Sequence, residues 1–299
     1  AFTFFPCSDQ PSDNAIFDLA VTPPAGWTVV SGGTLAATTT AADGATTTHW
    51  HGDSPAATYL TAFAVDRFER FTESGPGGLP VTYWVRREDA ERMLPVIRKT
   101  PQMLEWLQQH FGPYPFRTAG VVVVPDRSAM ETQAMISMGP LVGYRGETVL
   151  LHELSHQWFG DTATPSTWKD LWLNEGFATY AEMIYTVERL GGSEDRTVRT
   201  WLNGDRANRA TAGPPGAYHP DRFADHNVYY GPALMLHEIR GRVGDLRFFA
   251  LMHDWPQHHR DSTVDRAEFK RWLAAESGQD LSALVDQWLD SSTTPQLHR

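Results

Sequence analysis

The chain has 299 residues, of which 41% are hydrophobic and 20% charged, and its formal net charge is −11. That much apolar material builds one large or two modest packed domains and excludes a disordered chain. So acidic a balance argues against nucleic acid or an anionic membrane as the main partner, and no apolar run approaches the roughly 18 residues of a membrane span.

The first 70 or so residues read as β structure. TTTHWH (46–51) and ATYLTAFAV (57–65) carry strand-forming residues between Gly, Pro and Asp clusters. SGPGGLP (74–80) reads as a turn-rich linker, which sets expected domains at 1–75 and 76–299. VTYWV (81–85) predicts one more strand. EDAERMLPVIRKTPQMLEWLQQHF (88–111) is patterned as a helix that Pro95 and Pro101 break or kink. AGVVVVP (119–125) reads as a buried strand. Further helices are expected over 147–159 and 173–190, from Gly231, and over 265–276 and 280–289. A strand-rich front and a helix-rich back make this an α+β chain. The single cysteine, Cys7, reads as a small buried hydrophobe rather than a reactive thiol.

The chemistry concentrates in LLHELSHQWFGD (150–161). Each helical residue turns about 100°, so His156 lies about 40° round from His152, one turn further along. Glu153 falls in the same arc. Two imidazoles so placed can hold one zinc ion, and the glutamate can reach a water on it without ligating it, as a general base must. A catalytic zinc needs a third protein ligand. LWLNEGFATYAE (171–182) offers Glu175, with 18 residues between it and His156. A helix, a turn and an antiparallel helix would return Glu175 to the metal.

Other candidates have blander readings. His49 and His51 flank Trp50 at strand period and read as exposed or satisfied histidines; His258 and His259 read as a solvated loop; His237 reads as packing or as support for the site. Asp161 is either a loop cap or a residue orienting a ligand histidine. Trp158, Phe159, Trp168 and Trp172 read as core around the metal. Without a G-x-G-x-x-G or Walker-type loop, a nucleotide cofactor has no support.

HELSHQWFGD together with WLNEGFATYAE resembles the M1 zinc aminopeptidases, or gluzincins. Thermolysin-like endopeptidases place their glutamate one residue further on. The likeness extends to FGPYPF, VVVVPD and SAMETQ, which resemble the run into the family's exopeptidase signature. NVYYGPALMLHEI resembles the family's catalytic-tyrosine segment, and THWHGDSPAATYL the end of its N-terminal β domain. The resemblance implies a partial, β-sandwich-like N-terminal domain followed by a thermolysin-like, mainly α catalytic domain. It implies one Zn2+ per chain on His152, His156 and Glu175, with Glu153 as general base. Ala129, Met130 and Glu131 would bind substrate, Glu131 taking the free α-amine of a peptide. Tyr229 would donate to the oxyanion, with Tyr230 as its rival. Ser128 and Thr132 stand where the family has Gly and Asn, and Tyr229-Tyr230-Gly231-Pro232 stands where it usually has Tyr-x-Lys-Gly.

The resemblance also makes this chain short at the N-terminal domain and without the family's large helical C-terminal domain. It begins at Ala1 without a methionine or a basic-then-apolar leader. Either a leader was removed, which favours a secreted over a cytoplasmic protein, or these residues lie within a longer chain. Two other functions compete with aminopeptidase activity: a zinc-holding but inactive fragment or scaffold, and an epoxide hydrolase built on the same zinc site.

Overall fold

The computed structural model describes residues 3–222 and 226–298. Two compact units divide the chain, one made of residues 1–109 and 113–157, the other of 110–112 and 158–299.

The first unit opens with seven short strands: β1 (Asn14–Ala15), β2 (Asp18–Val21), β3 (Thr28–Ser31), β4 (Thr34–Thr40), β5 (Thr46–His51), β6 (Ala56–Ala57) and β7 (Phe63–Asp66). They pair antiparallel as β2-β5-β4, β1-β6 and β3-β7. Alternation along TTTHWH sends Trp50 inward, where its Nε1 donates to the Val29 carbonyl at 3.2 Å and its ring meets Trp84 edge-on. These residues share a core with Val30, Val122 and Met135. The stretch 57–65 is not one strand: Thr58–Leu60 form a 3-10 turn between β6 and β7. Its alternation is that of a short chain reversal that buries Leu60, not of a continuous ladder. Cys7, ahead of these strands, is half-buried rather than fully enclosed.

A five-stranded sheet follows, in the order β11-β12-β10-β9-β8, built from β8 (Phe68–Ser74), β9 (Pro80–Arg86), β10 (Ala119–Val123), β11 (Ala129–Met130) and β12 (Ile136–Met138). Every residue of β10 is buried, as the continuous valine run requires of a central strand flanked by parallel neighbours. The stretch 74–80 is the tip of the β8–β9 hairpin rather than a linker. Ser74 faces Pro80 across the ladder, and Gly77 and Gly78 take up positive φ. Helices α1 (Arg87–Ile97) and α2 (Thr100–Phe111) carry the chain from β9 to β10. Pro95 is accommodated inside α1, and Pro101 falls in the first turn of α2, where its missing N–H costs nothing. Helix α3 (Gly143–Ser155) begins four residues earlier than expected and lies against α1, β11 and β12. The space is tight: a Cβ on Gly146 would sit 3.3 Å from a Val96 methyl and closer still to the Leu141 carbonyl.

The second unit is helical. Its helices are α4 (Trp172–Leu190), α5 (Glu194–Ala212), α6 (Tyr230–Val243), α7 (Asp245–His258), α8 (Arg266–Ser277) and α9 (Ser282–Asp290), with a small parallel pair of β13 (Ala163–Pro165) and β14 (Ser262–Val264). Gly191 ends α4 in the left-handed conformation that glycine favours. Among the described residues no helix is long and apolar enough to cross a membrane.

Candidate metal centre

Helix α3 places the first two donors. Its C-cap is His156, which keeps helical dihedrals (φ −61°, ψ −22°), so the one-turn relation to His152 holds to the end of the helix. The two rings stand 4.9 Å apart at an interplanar angle of 78°. Ser155 anchors that last turn by donating to the Leu151 carbonyl at 2.7 Å. Glu153 is only 8% exposed and His156 only 1%.

Glu175 comes from the first turn of α4. A 3-10 turn over Trp168–Asp170 leads into that helix, and Asp170 fixes the entry by accepting from Thr167 Oγ1 at 2.8 Å and from the Arg266 amide at 3.2 Å. Burial pushes the Asp170 carboxyl above its ordinary value, against these hydrogen bonds. The Glu175 amide donates to Leu171 O at 3.1 Å, and the positive end of the helix favours a carboxylate there. Gly176 lets α4 and α6 touch, because a Cβ on it would lie 2.5 Å from Cβ of Pro232.

The structure brings His152, His156 and Glu175 together: each offers one ligand atom, and these atoms all lie within 4.8 Å of one another. Two imidazoles and one carboxylate, leaving a fourth position for water or substrate, form the donor set of a catalytic zinc rather than a structural one. Among the described residues this is the one such group of three or more His, Cys, Asp or Glu. His49 and His51 do not join any such group, and His51 Nδ1 instead pairs with Asp18 at 2.7 Å.

Glu131 follows β11 and is 7% exposed, and the neighbouring Ala129 and Met130 form β11 itself. Tyr229 precedes α6, with its ring 5.8 Å from that of His226. Tyr230 is engaged elsewhere: its ring stacks on Trp201 of α5 at 6.3 Å and 21°. The aromatics around the motif are core. Trp158 donates to Gly112 O at 3.0 Å, Phe159 stacks on Phe177, and Trp172 meets Phe269 edge-on. His237 lies 3.4 Å from the Tyr180 hydroxyl.

Sequence reasoning passes over Gln157, the residue after the second histidine. Its side chain is fully buried; Nε2 donates to the Glu131 carbonyl at 3.1 Å, and Oε1 accepts from the Ala134 amide at 2.7 Å. A glutamine within an otherwise aromatic run, His-Gln-Trp-Phe, is the available signal.

The peptidase family M1 domain matches residues 96–288, and the M1 N-terminal domain matches residues 1–60. The chain belongs to peptidase family M1. Its structure superimposes with a TM-score of 0.86 on the M1 zinc metallopeptidase of Deinococcus radiodurans, at 31% identity, covering 98% of this chain and 68% of that one. A mutant of that metallopeptidase bound to a Tyr-Ser-Ala substrate gives a TM-score of 0.85, also at 31% identity, with the same coverage of both chains. Human glutamyl aminopeptidase is 30% identical over 195 residues, 60% of this chain and 20% of its own length. Aminopeptidase N of Streptomyces lividans is 25% identical over 317 residues, covering 96% of this chain and 36% of its own. The chain thus spans about a fifth to a third of the curated relatives it matches. Zn2+ is the cofactor of this M1 chain, in keeping with the zinc metallopeptidases it resembles and with the clustered donors.

Proposed function

We propose that this M1 protein hydrolyses N-terminal residues from peptides, with zinc held by His152, His156 and Glu175. The observation that carries the reading is the clustering of those three donors beside a buried Glu153 on the same helix as the two histidines. When bound, zinc supplies a Lewis acid that brings water's pKa to about 7.

Glu153 follows His152 directly, so its carboxylate serves the position those ligands define without being one of them. It takes a proton from the attacking water and passes it to the leaving amine. Glu131 binds the α-ammonium of the substrate. A buried carboxylate gains an ion pair from a charged N-terminus that an internal or acylated nitrogen cannot supply, so it selects chain ends. Tyr229 donates to the oxyanion that develops at the scissile carbonyl. The stacking of Tyr230 on Trp201 supports this choice between neighbours.

The test is hydrolysis of a panel of aminoacyl p-nitroanilides beside their N-acetylated counterparts, with zinc measured on the same preparation. Turnover of the free-amine compounds alone, at one zinc per chain, is the expected result. One zinc per chain without turnover of any aminoacyl amide defeats the reading.

A further inference from the structure

Gln157 does more than fill the core behind the zinc helix. Its amide is a two-sided clamp on the turn that follows Glu131. On one side it donates to the carbonyl of Glu131 itself, and on the other it accepts from the amide of Ala134 at 2.7 Å. The Glu131 carbonyl lies just before, and the Ala134 amide inside, a tight turn over residues 132–135 in which the Met135 amide donates to the Thr132 carbonyl at 2.9 Å. Ala134 sits at φ +61°, a left-handed conformation that an alanine holds only where the surroundings enforce it.

The clamp is itself held. The Tyr114 hydroxyl lies 3.4 Å from Gln157 Oε1 and donates to Thr118 O at 3.1 Å. On the far side, Gln133 Nε2 donates to Pro55 O at 3.0 Å, and the Gly33 amide donates to Gln133 O at 3.3 Å. A Cβ on Gly32 would lie 2.7 Å from that same carbonyl, so the turn is pressed against a glycine backbone. Both polar ends of the Gln157 amide are thus occupied, and the residue is fully buried. A buried amide with both ends satisfied rigidifies the groups it joins, and loss of either bond leaves a buried polar atom unpaired.

Gln157 is covalently next to His156. One side chain therefore fixes the turn bearing Glu131 to the helix bearing His152 and His156. We infer that Gln157 is a positioning residue that sets the distance between the amine-binding carboxylate and the zinc ligands of α3, and with it how deep an N-terminus sits relative to the attacked bond. This inference rests on the aminopeptidase reading and adds to it the element that measures off one residue. It assigns Gln157 no contact with substrate.

The experiment compares wild type with Gln157→Met, which keeps volume and loses both hydrogen bonds, and with Gln157→Glu, which keeps the acceptor for Ala134 and loses the donor to Glu131. Steady-state kinetics on a leucine p-nitroanilide, zinc content and hydrogen exchange at the Ala134 amide are read for each. In Gln157→Met, KM is expected to rise roughly tenfold or more with kcat within about threefold, because a displaced Glu131 weakens ground state and transition state alike. Zinc is expected to stay at the wild-type level, and Ala134 exchange to accelerate. Gln157→Glu is expected to keep Ala134 protected yet still raise KM. Unchanged KM in both variants, with active wild type, overturns the role of Gln157 and leaves the aminopeptidase reading intact. A fall in kcat and zinc content together, at constant KM, also overturns it, since that is the signature of a disturbed metal helix. Wild type that turns over no aminoacyl amide sinks the underlying reading instead. If Gln157→Met fails to fold, Gln157→Glu carries the same KM criterion.

Discussion

Gly204 of α5 makes room for the ring of Tyr230: a Cβ at position 204 would lie 2.5 Å from Cδ2 and 2.6 Å from Cε2 of that tyrosine. Tyr230 cannot yield, because its ring is also stacked on Trp201. Gly204→Ala should therefore destabilise the protein although alanine is the better helix former. Overpacking costs about 1–3 kcal/mol, and the propensity gain returns about 1 kcal/mol. Gly241 is the control: it lies inside α6, and a Cβ added there would meet nothing within 4 Å, so Gly241→Ala should stabilise by up to about 1 kcal/mol. Thermal unfolding of the two variants should move in opposite directions, and a rise in Tm for Gly204→Ala would refute the packing argument.

The same relationship predicts different outcomes for substitutions at the two tyrosines. Tyr230→Phe keeps the ring on Trp201 and should leave kcat within about twofold, whereas Tyr229→Phe should lower kcat about 10²–10³-fold through loss of one oxyanion donor. Single-turnover rates with an aminoacyl anilide decide it. Equal losses in both variants would remove the assignment to Tyr229.

Asp205 and Arg209, one turn apart on α5, form a pair with side chains 0% and 1% exposed. Arg209 also reaches the carbonyls of Trp288 and Ser291, and Thr294 donates to Asp205 at 2.6 Å, so the pair fastens the chain after α9 onto α5. Arg209→Met leaves a buried carboxylate without its counter-charge and should cost about 3–5 kcal/mol in urea unfolding. The pair Asp205→Leu with Arg209→Met should recover much of that loss; no recovery would mean that the carbonyl contacts, not the charge, carry the effect.

Most of the candidate metal centre is legible in the sequence because it is local. The His152–His156 spacing needs only a helix, and the structure extends helical dihedrals through His156. Glu175 is readable as a carboxylate at a plausible return distance, and the structure does bring it into the donor group. Helices α5 and α7 are hidden for different reasons. The buried face of α5 contains Asp205 and Arg209 beside Val198 and Trp201, so its apolar stripe is interrupted by charge. The α7 segment carries Pro256 and ends in His258, which with His259 reads as loop; the structure instead places both Pro256 and His258 in the helix's last turn, with His259 as its C-cap. The Gln157 clamp is illegible because its partners lie 23 and 26 residues away along the chain, and no periodicity announces a hydrogen bond of that reach.

Stability should fall in acid partly through Asp89. Burial alone would raise its carboxyl, but hydrogen bonds from Arg86 at 2.6 and 2.9 Å and from Arg92 at 2.6 Å outweigh it and hold it below the ordinary carboxylate range. A carboxyl depressed in the folded state stabilises above its unfolded value, about 3.9, and that contribution disappears as pH falls through the lower folded value. Asp89→Asn should therefore be less stable than wild type at neutral pH, and the gap should close as the pH falls below about 4. Urea midpoints from pH 7 down to 3 measure this. A gap that stays constant over that range would show that Asp89 contributes by shape and not by charge.

The sharpest division of labour concerns Glu153 and its neighbour His152. Glu153→Gln preserves volume and all three donors, so zinc content should remain at wild type while kcat falls about 10²–10⁴-fold, the usual worth of a positioned general base. His152→Ala removes a donor, and should lose zinc and activity together. Dialysis against a chelator should abolish wild-type turnover, and added Zn2+ should restore it in wild type but not in Glu153→Gln. Metal analysis and kinetics on one preparation of each protein separate ligand from base: a Glu153→Gln protein that has lost its zinc would make Glu153 part of the metal's support, and one with wild-type turnover would remove it from proton transfer altogether.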